Sequence, residues 1–210
     1  MPDPAKIRVV IVDDHPVVRF GLATIISLQP DMAVVGEAGS GEEALALCER
    51  RDADVVLMDL RLPGLSGVET IRAIREIRPA LRFIVLTTYE GDEDIHRALE
   101  SGAQAYLLKA TSHTEVTAAI RKVHSGSRVI PKAVSRTLAE RPPQSELSAR
   151  ELEVLELIGG GLSNKEIGAR LGITEATVKW HVNIILSRLN VSDRTQAVVA
   201  ALQRGIMHLP

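Results

Sequence analysis

Five side chains with phosphoryl-transfer chemistry stand at or just beyond the ends of short apolar runs in the first half of this 210-residue chain. Asp13 and Asp14 follow Ile7–Val12, and Asp59 follows Val55–Met58. Thr87 closes the run Phe83–Thr87, and Lys109 follows Ala105–Leu108. If these runs are parallel strands of one sheet, their carboxyl ends share an edge, where such sheets place their ligands. Three carboxylates crowded there repel one another, and a divalent cation relieves the repulsion. Oxygen donors suit Mg²⁺. Mg²⁺, one lysine and one hydroxyl neutralise and then hold a transferring phosphoryl group. A carboxylate such as Asp59 serves as the nucleophile and becomes an aspartyl phosphate.

The elements that must position these groups are legible in the same stretch. A fifth apolar run, Met32–Glu37, completes the set. All five are short and β-branched, as expected of parallel strands buried on both faces. Helix starts lie between them: the capping-box pairs Ser40/Glu43, Ser66/Glu69 and Ser112/Glu115, and Asp14 followed by Pro16. Five β–α units in residues 1–125 predict an α/β doubly wound parallel five-stranded sheet, flavodoxin-like. Residues 126–145 read as a linker with a short helix at Pro131–Glu140, broken by Arg141-Pro142-Pro143-Gln144. Capping pairs return at Ser148/Glu151, Ser163/Glu166 and Asp193/Gln196 with no strand pattern between. Residues 146–210 are therefore expected to form a small all-α helix-turn-helix domain.

Taken singly, each pocket residue has a plainer reading. Asp14 is a helix cap, Asp59 a turn residue, Thr87 a strand threonine, Lys109 a solvated charge and Tyr106 a partly buried aromatic. Their joint placement favours the phosphoryl pocket. Together the segments resemble the receiver of two-component response regulators. The residues that carry this are Val9-Val10-Ile11-Val12-Asp13-Asp14-His15, Met58-Asp59-Leu60-Arg61-Leu62-Pro63-Gly64-Leu65-Ser66-Gly67, Leu86-Thr87 and Tyr106-Leu107-Leu108-Lys109. The resemblance implies that Asp59 is the phosphoacceptor and that Asp13, Asp14, Asp59 and the Arg61 backbone carbonyl hold Mg²⁺. It implies that Thr87 senses the phosphoryl group, Lys109 pairs with it, and Tyr106 is the switch aromatic. It also implies no enzyme beyond the receiver's own phosphorylation and dephosphorylation. An aspartate-nucleophile phosphohydrolase would need a second acid two residues after the nucleophile, where this chain has Arg61.

In the second part, Ser163–Arg170 reads as a short helix, Leu171-Gly172-Ile173 as a turn, and Thr174 as the cap of a long helix to Asn190. At about 100° per residue, Val178, Val182, Ile185 and Leu189 form a core stripe. Ala176, Trp180, Asn183 and Ser187 face the other way, flanked by Lys179 and Ile184. Leu147–Leu155, Gly161–Ile167, Thr177–Val182 and Arg194-Thr195-Gln196-Ala197 resemble the LuxR-type helix-turn-helix. Joined to a receiver, this is similar to the NarL/FixJ class of regulators. Lys179, Trp180 and Asn183 are the expected base-facing residues. Ser163, Asn164, Lys165, Thr177, Arg188 and Arg194 are expected on the DNA backbone. Trp180 departs from the small or polar residue more usual at its position. The last helix, Asp193–Arg204, carries Ala197, Ala200 and Ala201, small enough for close packing between protomers. The resemblance implies a cognate sensor histidine kinase, a double-stranded DNA operator, a homodimer when active, and RNA polymerase as a further partner.

Charge at first argues against DNA, since 25 basic and 27 acidic residues leave a net −2. The distribution reverses this. Residues 1–140 carry 17 basic and 20 acidic side chains, whereas residues 159–210 carry 6 and 3. A basic excess that small predicts weak binding by one copy and a need for two. The single cysteine, Cys48, excludes an internal disulfide and reads as core. No apolar run reaches a membrane span and no signal-peptide pattern opens the chain, so a cytoplasmic protein is expected.

Overall fold

The computed structural model describes residues 6–88, 91–139 and 147–208. The chain forms two compact units, one of residues 1–89 with 95–136 and one of residues 90–94 with 137–210. The break Arg141-Pro142-Pro143-Gln144, Ser145 and Glu146 lie outside the described residues.

The α/β part of the chain runs β1 (Ile7–Val12), α1 (Pro16–Ser27), β2 (Met32–Ala38), α2 (Gly41–Arg50), β3 (Val55–Met58), α3 (Gly67–Ile77), β4 (Arg82–Thr87), α4 (Asp92–Glu100), β5 (Ala105–Leu108) and α5 (His113–His124). The strands pair in the order β2-β1-β3-β4-β5, all parallel. The chain winds outward in both directions from β1 and β3, which creates a crevice at their carboxyl ends. Every side chain of β3 is buried, as are those of Val9–Val12 in β1. Such all-apolar strands suit the centre of a sheet covered on both faces. One core cluster joins Val9, Ile11, Leu57, Ile84 and Leu107 to Ile26 of α1 and Val116, Ile120 and Val123 of α5. Cys48 is 1% exposed, and burial pushes its thiol up to about 11, which keeps it an inert core residue.

Helix starts follow the sequence with informative exceptions. Ser66 and Ser112 make full capping boxes with Glu69 and Glu115. Ser40 accepts from the Glu43 amide, but Glu43 bonds the Gly39 amide instead of closing the box. Asp14 is not the cap of α1. That position belongs to His15, with Pro16 opening the helix, which leaves the Asp14 carboxylate for the crevice. The sheet also reaches past the expected linker boundary at 126. Val129 forms a parallel bridge with Ala105, because β5 is an edge strand with unpaired backbone groups. α6 (Lys132–Ala139) supplies the short helix expected there.

The second unit contains α7 (Ala149–Gly159), α8 (Asn164–Leu171), α9 (Glu175–Leu189) and α10 (Arg194–Gln203). Ser148/Glu151 and Ser163/Glu166 close full capping boxes. Asp193 caps α10, while Gln196 reaches one residue further back, to the Ser192 amide. Gly172 takes the left-handed conformation (φ 66°) that turns α8 sharply into α9. Val178, Ile185 and Leu189 are buried with Val154, Leu155, Ile158 and Ile167, and Val182 packs against them half-buried. Ala197 and Ala201 of α10 are 1% and 0% exposed inside this same core. These two are small because α10 packs on its own unit, whereas Ala200, the third alanine of the expected protomer contact, is only half-buried. The large exposed apolar residue on α10 is Val199.

Candidate functional site

The backbone ladders carry the pocket residues to the crevice. The Asp13 amide donates to the Ala38 carbonyl at 3.1 Å, the Asp59 amide to Val12 at 2.9 Å, and the Lys109 amide to Thr87 at 2.8 Å. Each strand is thus held by its neighbour up to the functional residue itself. Behind Asp59 the chain turns back into α3 at Gly67. A Cβ there would stand 2.1 Å from the Asp59 carbonyl oxygen, so only glycine permits this close return.

Asp13 and Asp59 are 2% and 3% exposed, and Lys109 bridges them. Its Nζ lies 2.5 Å from Asp13 Oδ2 and 2.7 Å from Asp59 Oδ2. Burial pushes the Asp59 carboxyl above the usual range, and the charge of Asp13 adds to that push. The Lys109 hydrogen bond and charge and the Arg61 backbone amide oppose it. Lys109 is pulled down by burial, but the two carboxylates outweigh this and hold it charged above its usual range. Asp59 Oδ1 and Thr87 Oγ1 are buried without a hydrogen-bond partner, on the ends of neighbouring strands. Asp14 remains exposed at the mouth. Tyr106 is fully buried, more than the half-burial read from its sequence position, and lies inward in this conformation.

Donor atoms of Asp13, Asp14 and Asp59 lie within 4.8 Å of one another. Two buried acids, one exposed acid and an unpartnered buried carboxylate oxygen form a donor set that fits a hard divalent cation. Sequence reasoning passed over two neighbours of this set. His15 Nδ1 lies 2.6 Å from Asp14 Oδ1. Arg19 Nη1 donates to the Asp13 carbonyl at 2.5 Å, one and a half turns into the chain from the acid it braces. Adjacency to the acid pair was the available signal for His15; nothing in spacing alone marks Arg19.

In the second unit, α9 presents Lys179, Trp180 and Asn183 to solvent, with Trp180 59% exposed. The indole meets the His181 ring edge-on at 4.8 Å. Lys179 pairs with Glu175, 3.4 Å away on the same surface. The expected backbone anchors divide. Lys165 is exposed and Asn164 half-buried at the start of α8. The Ser163 hydroxyl is engaged by Glu166 at 2.6 Å, and Thr177 Oγ1 lies 2.8 Å from Thr174 Oγ1. Arg188 and Arg194 also make contacts within the fold. Arg188 pairs with the buried Glu151 carboxylate at 2.5 Å, and Arg194 donates to the Leu162 carbonyl at 2.6 Å. Arg188 lies in the last turn of α9 and Arg194 opens α10. Arg188→Ala is therefore expected to strand the Glu151 charge and destabilise this unit by about 2–3 kcal/mol. Calorimetry of the variant checks this, and a change confined to DNA affinity would restore Arg188 to the interface.

A doubly wound sheet with an acid–lysine–hydroxyl crevice, joined to a helix-turn-helix unit, defines a regulator with a receiver. The chain belongs to the two-component response regulators with a LuxR-type carboxy-terminal domain. Residues 9–121 match the response regulator receiver domain, and residues 145–201 match the bacterial regulatory proteins of the luxR family. The response regulator protein VraR of Staphylococcus epidermidis is 39% identical over 206 residues, 96% of this chain and 99% of that one. Among solved structures, the response regulator ChrA of a heme-sensing two-component system is 38% identical, with TM-score 0.56, over 97% of this chain and 100% of that one. The complex of the response regulator RcsB with DNA is 27% identical, with TM-score 0.69, over 94% and 98%. Among the described residues no helix is long and apolar enough to cross a membrane.

Proposed function

We propose that Asp59 accepts a phosphoryl group from a sensor histidine kinase and that this controls dimerisation and operator binding. The observation that carries the reading is the unpartnered Asp59 Oδ1 at a strand end whose other oxygen is held by Lys109. A carboxylate oxygen of Asp59 attacks the donor phosphorus, a P–O bond to Asp59 forms, and the bond to the leaving imidazole or acyl oxygen breaks. Asp13, Asp14, Asp59 and the Arg61 carbonyl would hold Mg²⁺, which supplies charge neutralisation for the transferring group. Lys109 is placed to neutralise a phosphoryl oxygen, and Thr87 Oγ1 to donate to one. The group stays on the protein until hydrolysed, so the receiver turns over no external substrate.

Phosphorylation acts by stabilising one pre-existing state over another. Thr87 turning toward the new oxygens changes the space beside Tyr106, which is already inward. The regulator then pairs and presents two α9 helices to inverted half-sites in double-stranded DNA, with Lys179, Trp180 and Asn183 at the bases. Ser163, Asn164, Lys165, Thr177, Arg188 and Arg194 lie at the phosphates, and RNA polymerase is a further partner in the cytoplasm. Selection of bound sequences from a random duplex pool, with and without acyl-phosphate treatment, tests this. Inverted repeats enriched more strongly after treatment are expected. Equal enrichment in both arms would remove phosphorylation from control of binding, and no enrichment in either would remove the DNA role.

A further inference from the structure

The outer face of α9 carries a side chain that its polar neighbours do not explain. Trp180 is the only tryptophan of the chain, and 59% of its surface is exposed. Ala176, Asn183 and Ser187 share this face and are small or polar, and exposed as well. The indole therefore stands out as a large apolar surface on a helix side that is otherwise wetted. Its orientation is restrained before any partner arrives. The ring meets that of His181 at 4.8 Å and 69°, the edge-to-face arrangement that aromatic pairs prefer. His181 is half-buried, and its Nδ1 is buried with no hydrogen-bond partner among the described residues, so packing holds this support in place. A side chain fixed in this way loses little freedom on binding.

The major groove limits what such a ring can meet. Every group that distinguishes the four base pairs there is a hydrogen-bond donor or acceptor, except the C5-methyl of thymine. Cytosine carries hydrogen at that carbon, and methylation at C5 gives it the same apolar group in the same place. The polar edge differs, with an N4 donor replacing the O4 acceptor, but van der Waals contact between the methyl and a ring face does not depend on that exchange.

We propose that Trp180 makes α9 a reader of the pyrimidine C5-methyl group, so that operator binding responds to cytosine methylation at the step it faces. This rests on the reading of α9 as the helix that enters the groove. At that step 5-methylcytosine supplies the contact that thymine supplies, and unmodified cytosine lacks it as uracil does.

The test uses the full chain and the operator obtained by selection. Each thymine of one half-site is replaced in turn by uracil, which removes the methyl and nothing else. At one step the wild type should bind about fourfold more weakly, the value of one buried methyl group. Cytosine and 5-methylcytosine, each paired with guanine, are then compared at that step, and the methylated duplex should bind about fourfold more tightly. Trp180→Ala should abolish both differences. A wild type indifferent to every uracil, equal binding of the two cytosine forms, or a difference that persists in Trp180→Ala overturns the methyl reading, while selective binding of the operator leaves α9 in the groove. An operator bound no better than a scrambled duplex overturns both.

Discussion

Replacing Asp59 with asparagine is expected to abolish acyl-phosphate labelling while raising the thermal stability of the receiver at neutral pH. Labelling fails because an amide oxygen is no nucleophile toward phosphorus and the other two acids lack the geometry: Asp13 accepts from the His15 amide and Lys109, and Asp14 lies at the mouth. The stability gain follows from the direction of the Asp59 titration. Burial raises its carboxyl above the ordinary range, with Asp13 adding to the effect and Lys109 opposing it. A group raised in the folded state contributes stability below its unfolded value and loses it as pH rises through the folded value. At neutral pH the ionised Asp59 therefore costs stability, and asparagine removes that cost. Lys109 keeps its contact with Asp13 at 2.5 Å, so it is not left unpaired. The gain should shrink toward zero as the medium becomes acid enough to protonate both forms of the wild-type carboxyl. Calorimetry across pH, alongside phosphoprotein electrophoresis, reads both effects. Persistent labelling would move the phosphoacceptor elsewhere, and a variant less stable than wild type at neutral pH would mean that the Lys109 contact outweighs burial.

Lys179→Ala should weaken operator binding by the largest factor of any single change in the helical unit. The ammonium is exposed and its pairing with Glu175 is a surface contact worth at most about 1 kcal/mol, so it is readily released to DNA. A base or phosphate contact of this kind contributes about 1–3 kcal/mol. Two half-sites read by a dimer double it, to roughly 30-fold at the low end and roughly 10⁴-fold at the high end. Phosphorylation of Asp59 should be untouched. Trp180→Ala should behave differently, relaxing preference at one base step, since the indole offers an apolar face to a thymine methyl. Binding measured on the selected operator and on single-base variants separates the two. Lys179→Ala binding as tightly as wild type would displace α9 from the groove.

The residues that fared best from sequence alone were those whose position follows from backbone order. Asp13, Asp59, Thr87 and Lys109 sit where parallel strands end, and parallel pairing brings those ends together whatever the side chains do. Trp180 faces outward because 3.6 residues per turn fixes the far side of α9 from its apolar stripe. What local pattern could not supply was competition between partners. Arg188 and Arg194 look like free cations until the helices fold and bring Glu151 and the Leu162 carbonyl against them. Ala197, Ala200 and Ala201 look alike on α10 until packing buries Ala197 and Ala201 in the unit's own core and leaves Ala200 half-buried. Val129 looks like linker until the open edge of β5 captures it. The strand-end positions of the acids and the faces of the helices were therefore determined by the sequence itself, through covalent order and helical or pleated periodicity. The strand order, the partners each charge finds and which small residues are buried were decided only by tertiary structure, because these depend on distances between residues that no periodicity relates.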